Sequence, residues 1–302
     1  MRKKGESLLP TNKKQMGAVE ELAESSARIL RDPAGREVKI ISDGDVERLC
    51  SRCGLTLPEG YAVALKQGII PYRYLRNREA ITPTMQLKLA ESRVAVIGAG
   101  GLGGHVIFLL ARLGVGHMVV VDGDVFDETN QNRQALSNRN NMGMSKALEA
   151  VSAVAAVNPG VELTARPVRL DLKNGKEILA GCQVVVDALD NVADRFIVEE
   201  IAKGLGIPLI HGAVAGFEGQ VMSVFPGDPG LELLYGKDET PWRSEKRPEA
   251  VFGVPAVAPS LIATLQVTEV LKILLKRGRL LRNRMLRVDL ETVEFHEIAF
   301  TE

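Results

Sequence analysis

Between Arg93 and Gly104 the chain reads Arg-Val-Ala-Val-Ile-Gly-Ala-Gly-Gly-Leu-Gly-Gly, and Asp122 follows nineteen residues after Gly103. Gly98, Gly100 and Gly103 stand at the spacing of a G-x-G-x-x-G turn behind an apolar tetrapeptide, Val94 to Ile97, that reads as a short buried strand. Glycines suit such a strand-to-helix turn because a Cβ would hold the backbone away from a phosphate. The helix N-terminus beyond it offers amide donors and partial positive charge. A second apolar run, Met118 to Val121, ends at Asp122, where a carboxylate can accept hydrogen bonds from ribose hydroxyls. The pattern points to a nucleotide and does not by itself separate ATP from a nicotinamide dinucleotide.

The residues after Asp122 carry that distinction. The stretch to Gln134 is too polar for a core element and places Asn130 three residues before Arg133; Lys146 follows in Met-Gly-Met-Ser-Lys-Ala. Further on, Val184-Val-Val-Asp187-Ala-Leu-Asp190-Asn191 reads as a buried strand delivering Asp190 at its C-terminal end, where ligands sit in open α/β sheets. Hydride transfer has no need of two cations and an added carboxylate around phosphates. Chemistry at the α-phosphate of ATP does, because cations neutralise charge building on phosphoryl oxygens and a carboxylate holds Mg²⁺.

With these pieces assembled, the chain resembles the ubiquitin-activating-enzyme-like adenylyltransferases, in particular the bacterial ThiF/MoeB/HesA branch. The resemblance runs from about Ile69 to the C-terminus. It comprises Arg73-Tyr-Leu-Arg76-Asn77, the glycine loop, Asn130-Gln-Asn-Arg133-Gln134, Lys146, Asp187-Ala-Leu-Asp190-Asn191 and Gly216-Phe-Glu-Gly-Gln220. It implies that Gly98, Gly100, Gly101 and Gly103 line the phosphates and that Asp122 holds the ribose. It further implies that Asn130, Arg133 and Lys146 contact phosphate oxygens and that Asp190 binds Mg²⁺. Arg76 matches an arginine that in the family reaches into the neighbouring subunit's ATP site, which implies a homodimer. The implied reaction is ATP-dependent adenylation of the C-terminal glycine of a small ubiquitin-like sulfur-carrier protein ending in Gly-Gly. Read singly, Arg133 and Lys146 are also compatible with solvated surface charge, and Asp190 with an N-cap for the helix Val192 to Leu205.

These side chains need a scaffold, and the chain supplies alternating patterns. Strands are expected at Val94–Ile97, Met118–Val121, Glu162–Arg166, Val184–Ala188 and Leu209–His211. Helices are expected at Leu102–Leu113, Lys146–Val157, Lys176–Ala180 and Val192–Leu205. The fold expected is α/β and Rossmann-like, a mostly parallel sheet with helices on both faces. An antiparallel C-terminal part follows, with strand Gln220–Phe225, long helix Ala256–Lys276 and a hairpin of Met285–Val288 and Val293–Ile298. Residues 1–68 are expected to form a small α-rich region, with a tail to about Gly17, a helix from Glu20 to Leu30 ending near Asp32-Pro33, a strand Val38–Ile41, and helices Asp45–Cys53 and Pro58–Gln67 closed by Gly54 and Gly68. Residues 69–302 would form the ATP-binding domain. A proline-rich polar segment at about 227–254, containing Trp242, would match the loop that in the family crosses the substrate's tail.

Composition narrows the alternatives. Of 302 residues 45% are hydrophobic, enough for one large core with a small appendage, and 38 basic residues balance 38 acidic ones. No surplus charge points to nucleic acid or a membrane surface, and no uninterrupted apolar run suggests a membrane span. Three cysteines suit a reducing, cytoplasmic setting. Many relatives close a structural zinc site with two Cys-x-x-Cys pairs. Here Leu231–Tyr235 and Phe295–Ala299 occupy those places without cysteine, so zinc is expected to be absent, and Cys50-Ser-Arg-Cys53 supplies only half a tetrahedral site. The stretch Glu249–Gly253 has no cysteine for a thioester, so the chemistry is expected to stop at the acyl-adenylate, with Cys182 a packing residue. The rival readings are adenylation of a precursor peptide, a tRNA-modifying relative, a nicotinamide-dependent oxidoreductase, and a binding module without turnover. The oxidoreductase would need an acid among His105, His117, His211 and His296, none of which stands in a dehydrogenase motif.

Overall fold

The computed structural model describes residues 13–236 and 251–300. Its centre is an eight-stranded sheet. Five strands run parallel: β4 (Arg93–Ile97), β5 (His117–Val121), β6 (Glu162–Arg166), β7 (Val184–Asp187) and β8 (Leu209–Ala215). Three antiparallel ones continue it: β9 (Glu218–Val224), β10 (Arg284–Asp289) and β11 (Glu294–Ala299). The order across the sheet is β11-β10-β9-β8-β7-β4-β5-β6. After β4 the chain winds outward to β5 and β6, then crosses back to place β7 on β4's other side. That reversal opens a crevice at the C-terminal ends of β4 and β7.

Alternation along the strands explains the two-sided packing. Val94 and Val96 of β4 face one core with Leu102, Val106 and Leu110 of helix α5 (Gly101–Leu113), Ala147 and Ala150 of α6 (Lys146–Val157), and Ile262 and Val267 of α10 (Val257–Leu275). Ala95 and Ile97 face the other, with Ile178 and Leu179 of α7 (Gly175–Leu179) and Val198 and Ile201 of α8 (Val192–Gly204). A sheet covered on both faces demands such continuous apolar strands. By length and composition α10 is apolar enough to cross a membrane, yet it lies against α5, β8 and β9 with Gln266 and Glu269 buried among them.

The front region holds helices α1 (Lys13–Ser26), α2 (Asp43–Cys53) and α3 (Leu57–Lys66) and a three-stranded sheet of β1 (Arg28–Arg31), β2 (Glu37–Ile41) and β3 (Ile70–Pro71). Two expectations are corrected here. Lys13 to Gly17 are helical rather than tail, and the helix stops at Ser26, so Ala27 to Leu30 do not continue it. Arg28–Arg31 instead forms a hairpin with β2. Asp32-Pro33 closes that hairpin rather than a helix: the Asp32 carboxylate accepts from the amides of Ala34 and Arg36, both at 2.9 Å, and Gly35 takes φ 79°. A Ser42 cap and Gly54 at φ 67° bound α2, and a Thr56–Glu59 capping box starts α3. The first twelve residues, residues 237–250 of the proline-rich segment with Trp242, and the last two residues lie outside the described residues.

Arg73 ties this region to the large sheet. Its guanidinium donates to Asp43 and to the Val157 carbonyl at the end of α6. Beside it, Asn158 donates to the Tyr74 hydroxyl and to the Ala111 carbonyl, each at 2.7 Å. Helix α4 (Pro83–Ala90) then leads into β4.

Candidate nucleotide site

A cleft of about 650 Å³ opens at the crevice between β4 and β7. Gly98, Gly100, Gly101, Asp122, Arg133, Lys146 and Asp190 line it together, as do Gln134, Arg169 and Arg195. Gly103, Asn130 and Arg76 do not.

The glycines divide by cause. A Cβ on Gly98, whose φ is 95°, would stand 2.6 Å from the Ala188 carbonyl oxygen, and one on Gly103 would stand 1.8 Å from that of Gly98. Both are demanded by backbone packing. On Gly100 or Gly101 the nearest atoms, of Gln134 and Arg133, are 3.6 Å away, which is ordinary contact. Among the described residues no side chain caps α5, so its first amides face the cleft without a side-chain acceptor from them. Bare backbone where the protein itself tolerates a Cβ, beside open donors, fits a phosphate. Gly103→Ala is therefore expected to cost about 1–3 kcal/mol of stability through overpacking. Gly101→Ala should melt near wild type and weaken nucleotide binding, by about tenfold for roughly one lost charge-assisted contact. Thermal melts and titration calorimetry distinguish them, and the reverse pattern would sink the division.

Asp122, at the end of β5, accepts from the Ala99 amide at 2.7 Å and from the Asp124 amide at 2.8 Å. Burial pushes its carboxyl up, against the pull of those amides and of Lys146. It thus ties the glycine loop to the turn that follows β5.

Lys146 starts α6, which Ser145 caps, and is buried along its stem; its ammonium reaches Asp124 at 3.2 Å. The Asp124 side chain is 76% exposed, a weak partner that water can replace, so the cation can turn to a phosphate. Arg133 donates to the Thr129 carbonyl at 3.0 Å and to Asn132 Oδ1 at 2.9 Å. The side-chain oxygen of Asn130 serves the turn below: Oδ1 accepts from the Asp127 amide at 3.1 Å, closing a capping box on a 3₁₀ turn, Glu128–Asn130, while Nδ2 has only a 3.5 Å contact with Thr129 Oγ1 among the described residues. That geometry gives it a part in shaping the loop that carries Arg133.

Asp190 is exposed at the cleft, just past β7. The cap of α8 belongs to Asn191, whose Oδ1 accepts from the Asp194 amide at 2.8 Å, so the capping alternative for Asp190 falls. Arg76 is exposed on the turn after a 3₁₀ helix, Tyr72–Tyr74, and forms no hydrogen bond or ion pair with another described residue.

Three further residues line the cleft: Gln134 and Arg169, which the sequence does not mark as site residues, and Arg195, which by sequence reads as either structural or near the phosphates. Gln134 is buried with Oε1 lacking a hydrogen-bond partner among the described residues, directly beside Gly100. Arg169, after β6, pairs with Asp194. Arg195 is buried beneath the cleft floor. Gln134 belongs to the Asn130–Gln134 motif and is legible by position; Arg169 and Arg195 are defined by contacts between elements distant in sequence.

Comparison with known proteins places the chain in a family. The family model described as the ThiF family matches residues 74–302. The chain is 37% identical over 230 residues to the SAMP-activating enzyme E1 of Haloferax volcanii, covering 76% of this chain and 84% of that protein. It is 37% identical over 226 residues to the sulfur carrier protein adenylyltransferase of Thermus thermophilus, covering 72% and 82%. Among solved structures, E. coli MccB with ATP superposes with a TM-score of 0.65 at 20% identity, covering 85% of this chain and 82% of that one. PaaA does so at 0.60 and 17%, covering 92% and 99%. The two structures share the fold, and the sequence matches carry the relationship further: this chain belongs to the ThiF family, among the enzymes of the ubiquitin-activating, adenylyltransferase type.

Proposed function

We infer that the chain activates the C-terminal carboxylate of a small ubiquitin-like sulfur-carrier protein ending in Gly-Gly by adenylation with ATP. The observation that carries this reading is the convergence of Arg133, Lys146 and Asp190 on the uncapped N-terminus of α5 in one cleft. The relatives named as SAMP-activating and sulfur-carrier adenylyltransferases support the substrate class. A glycine carboxylate is ionised at neutral pH and is its own nucleophile, so no protein base is required. The α5 amides and bare glycines hold phosphate oxygens, and Asp122 takes the ribose. Arg133 and Lys146 offset charge building on the α-phosphate as the carboxylate oxygen bonds to phosphorus and pyrophosphate leaves.

The donor set suits Mg²⁺, which is commonly held by one or two carboxylates together with substrate phosphates. Asp190 is an exposed carboxylate at the rim of the proposed phosphate cradle, and no cluster of three or more His, Cys, Asp or Glu occurs among the described residues. Mg²⁺ held there would polarise the phosphoryl oxygens. Without a cysteine in Glu249–Gly253, the product would be the acyl-adenylate, consumed by a sulfur donor from elsewhere. ATP–pyrophosphate exchange that requires a carrier ending in Gly-Gly tests the reading. Exchange with a precursor peptide but no carrier would favour the peptide-modifying alternative, which has fold likeness alone behind it.

The same reading makes the enzyme a cytoplasmic homodimer, with residues 1–68 a packing or recognition unit and Arg76 of each subunit completing the other's site. A two-fold interface makes both sites composite. Mixing Arg76→Ala with Asp190→Ala subunits should then regenerate one intact site per heterodimer and restore part of the activity. Mixed dimers that form and stay inactive would exclude the shared site.

The protein is also proposed to carry no structural zinc. Burial pushes the Cys50 thiol up to about 11, and its Sγ donates to the Thr56 carbonyl at 3.2 Å. Neither property suits a thiolate ligand. Elemental analysis should find far less than one zinc per chain; stoichiometric zinc lost on Cys50→Ser would overturn this.

A further inference from the structure

Beneath the cleft, five groups close a ring of hydrogen bonds. Asp187, at the end of β7, and His211, in β8, are fully buried, and His211 Nδ1 lies 2.7 Å from Asp187 Oδ2. Burial lowers the affinity of His211 for a second proton. The neutral ring donates from Nδ1 to the carboxylate, and its Nε2 accepts from the Tyr235 hydroxyl at 3.1 Å. Tyr235 lies at the end of the short helix α9 (Glu232–Tyr235), and its oxygen accepts from Arg195 Nη1 at 2.7 Å. Arg195 Nη2 donates to the Leu189 carbonyl at 2.7 Å. The Leu189 amide closes the ring by donating to Asp187 Oδ1 at 3.0 Å.

The donors and acceptors of this ring are consistent all the way round, and its bonds converge on one residue. Leu189 is gripped at its amide by Asp187 and at its carbonyl by Arg195, immediately before Asp190. The ion pair itself is loose, with Arg195 Nε 3.7 Å from Asp187 Oδ2, while the short bonds of the guanidinium go to the Leu189 carbonyl and Tyr235. Burying a cation is costly unless its bonds are well made. Here they are spent on fixing a turn. That turn also meets the glycine loop, since the Ala188 carbonyl is what a Cβ on Gly98 would strike at 2.6 Å.

We propose that Arg195 is a positioning residue: held by Tyr235 and the buried Asp187–His211 pair, it sets the Leu189–Asp190 turn so that Asp190 meets the metal on a bound nucleotide. The role rests on the adenylation reading above and adds to it a coupling between the metal-binding turn and α9, at the start of the proline-rich segment. It does not require Arg195 to touch the substrate.

The test is calorimetric binding of a non-hydrolysable ATP analogue to the full chain, with Mg²⁺ and with EDTA. Wild type should bind more tightly with Mg²⁺. Arg195→Lys and Tyr235→Phe should each shrink that enhancement, by about tenfold for the loss of roughly one charged hydrogen bond, while affinity in EDTA stays near wild type. Arg195→Lys in an Asp190→Ala background should then change nothing further, because the two act through one contact. Tyr235→Phe removes a single oxygen and reads the same ratio should Arg195→Lys fail to fold. An unchanged Mg²⁺ enhancement in foldable variants, or equal losses with and without Mg²⁺, would overturn the positioning role alone. A wild-type chain that ignores the analogue would overturn the nucleotide reading as well.

Discussion

Asp190→Ala is expected to lower carrier-dependent pyrophosphate exchange by about a thousandfold, the rate equivalent of about 4 kcal/mol of lost Lewis-acid stabilisation. The stability of the fold should hardly change, because Asp190 is exposed and the cap of α8 is made by Asn191. Surface substitutions outside such features usually fall within about 0.5 kcal/mol. The variant should therefore melt like wild type and still take the carrier. Wild-type turnover in a folded Asp190→Ala protein would remove this carboxylate from the reaction.

Lys146→Met should follow, with a loss of about a hundredfold to a thousandfold in turnover, the range found when one donor to developing transition-state charge is deleted. Methionine keeps much of the buried stem and removes the ammonium. The carboxylate it leaves behind, Asp124, is 76% exposed and stays hydrated, so the fold is spared an orphaned buried charge. Asp124→Ala serves as the control and should remain close to wild type. Steady-state exchange at saturating ATP separates the two variants. Equal activity of Lys146→Met and wild type would make this lysine a surface cation after all.

The parts of the molecule that were legible in the sequence are those where backbone demand shows itself as residue type. Gly98 and Gly103 have packing reasons that no other residue meets, and the apolar runs before Gly98 and Asp190 are what strands buried on both faces require. The hairpin of β1 and β2 was not legible, because Arg28–Arg31 has only four residues and Asp32-Pro33 reads equally as a helix stop or a turn. Tertiary pairing with β2 decided it. The ring through Arg195 was hidden for a different reason. Its members come from β7 and the turn after it, β8, α8 and α9, and an arginine one turn into a helix reads as either structural or phosphate-facing until the topology brings those elements together.

The cap on α8 shows how a small ambiguity resolves. Asp190 and Asn191 are neighbours and either side chain suits an N-cap. The structure gives the amide of Asp194 to Asn191 and leaves Asp190 at the cleft. For Asn130 the structure fixes only the side-chain oxygen, which accepts from the Asp127 amide and so helps shape the loop that presents Arg133.

The most direct measurement follows one oxygen atom. A carrier whose terminal carboxylate is enriched in a heavy oxygen isotope is incubated with the enzyme, ATP and Mg²⁺, and the adduct is cleaved with a thiol. If the carboxylate attacks the α-phosphate, breaking the acyl–oxygen bond leaves the label in AMP, and pyrophosphate carries none. Label appearing in inorganic phosphate alongside ADP, or remaining wholly in the carrier while ATP is consumed, would contradict adenylation.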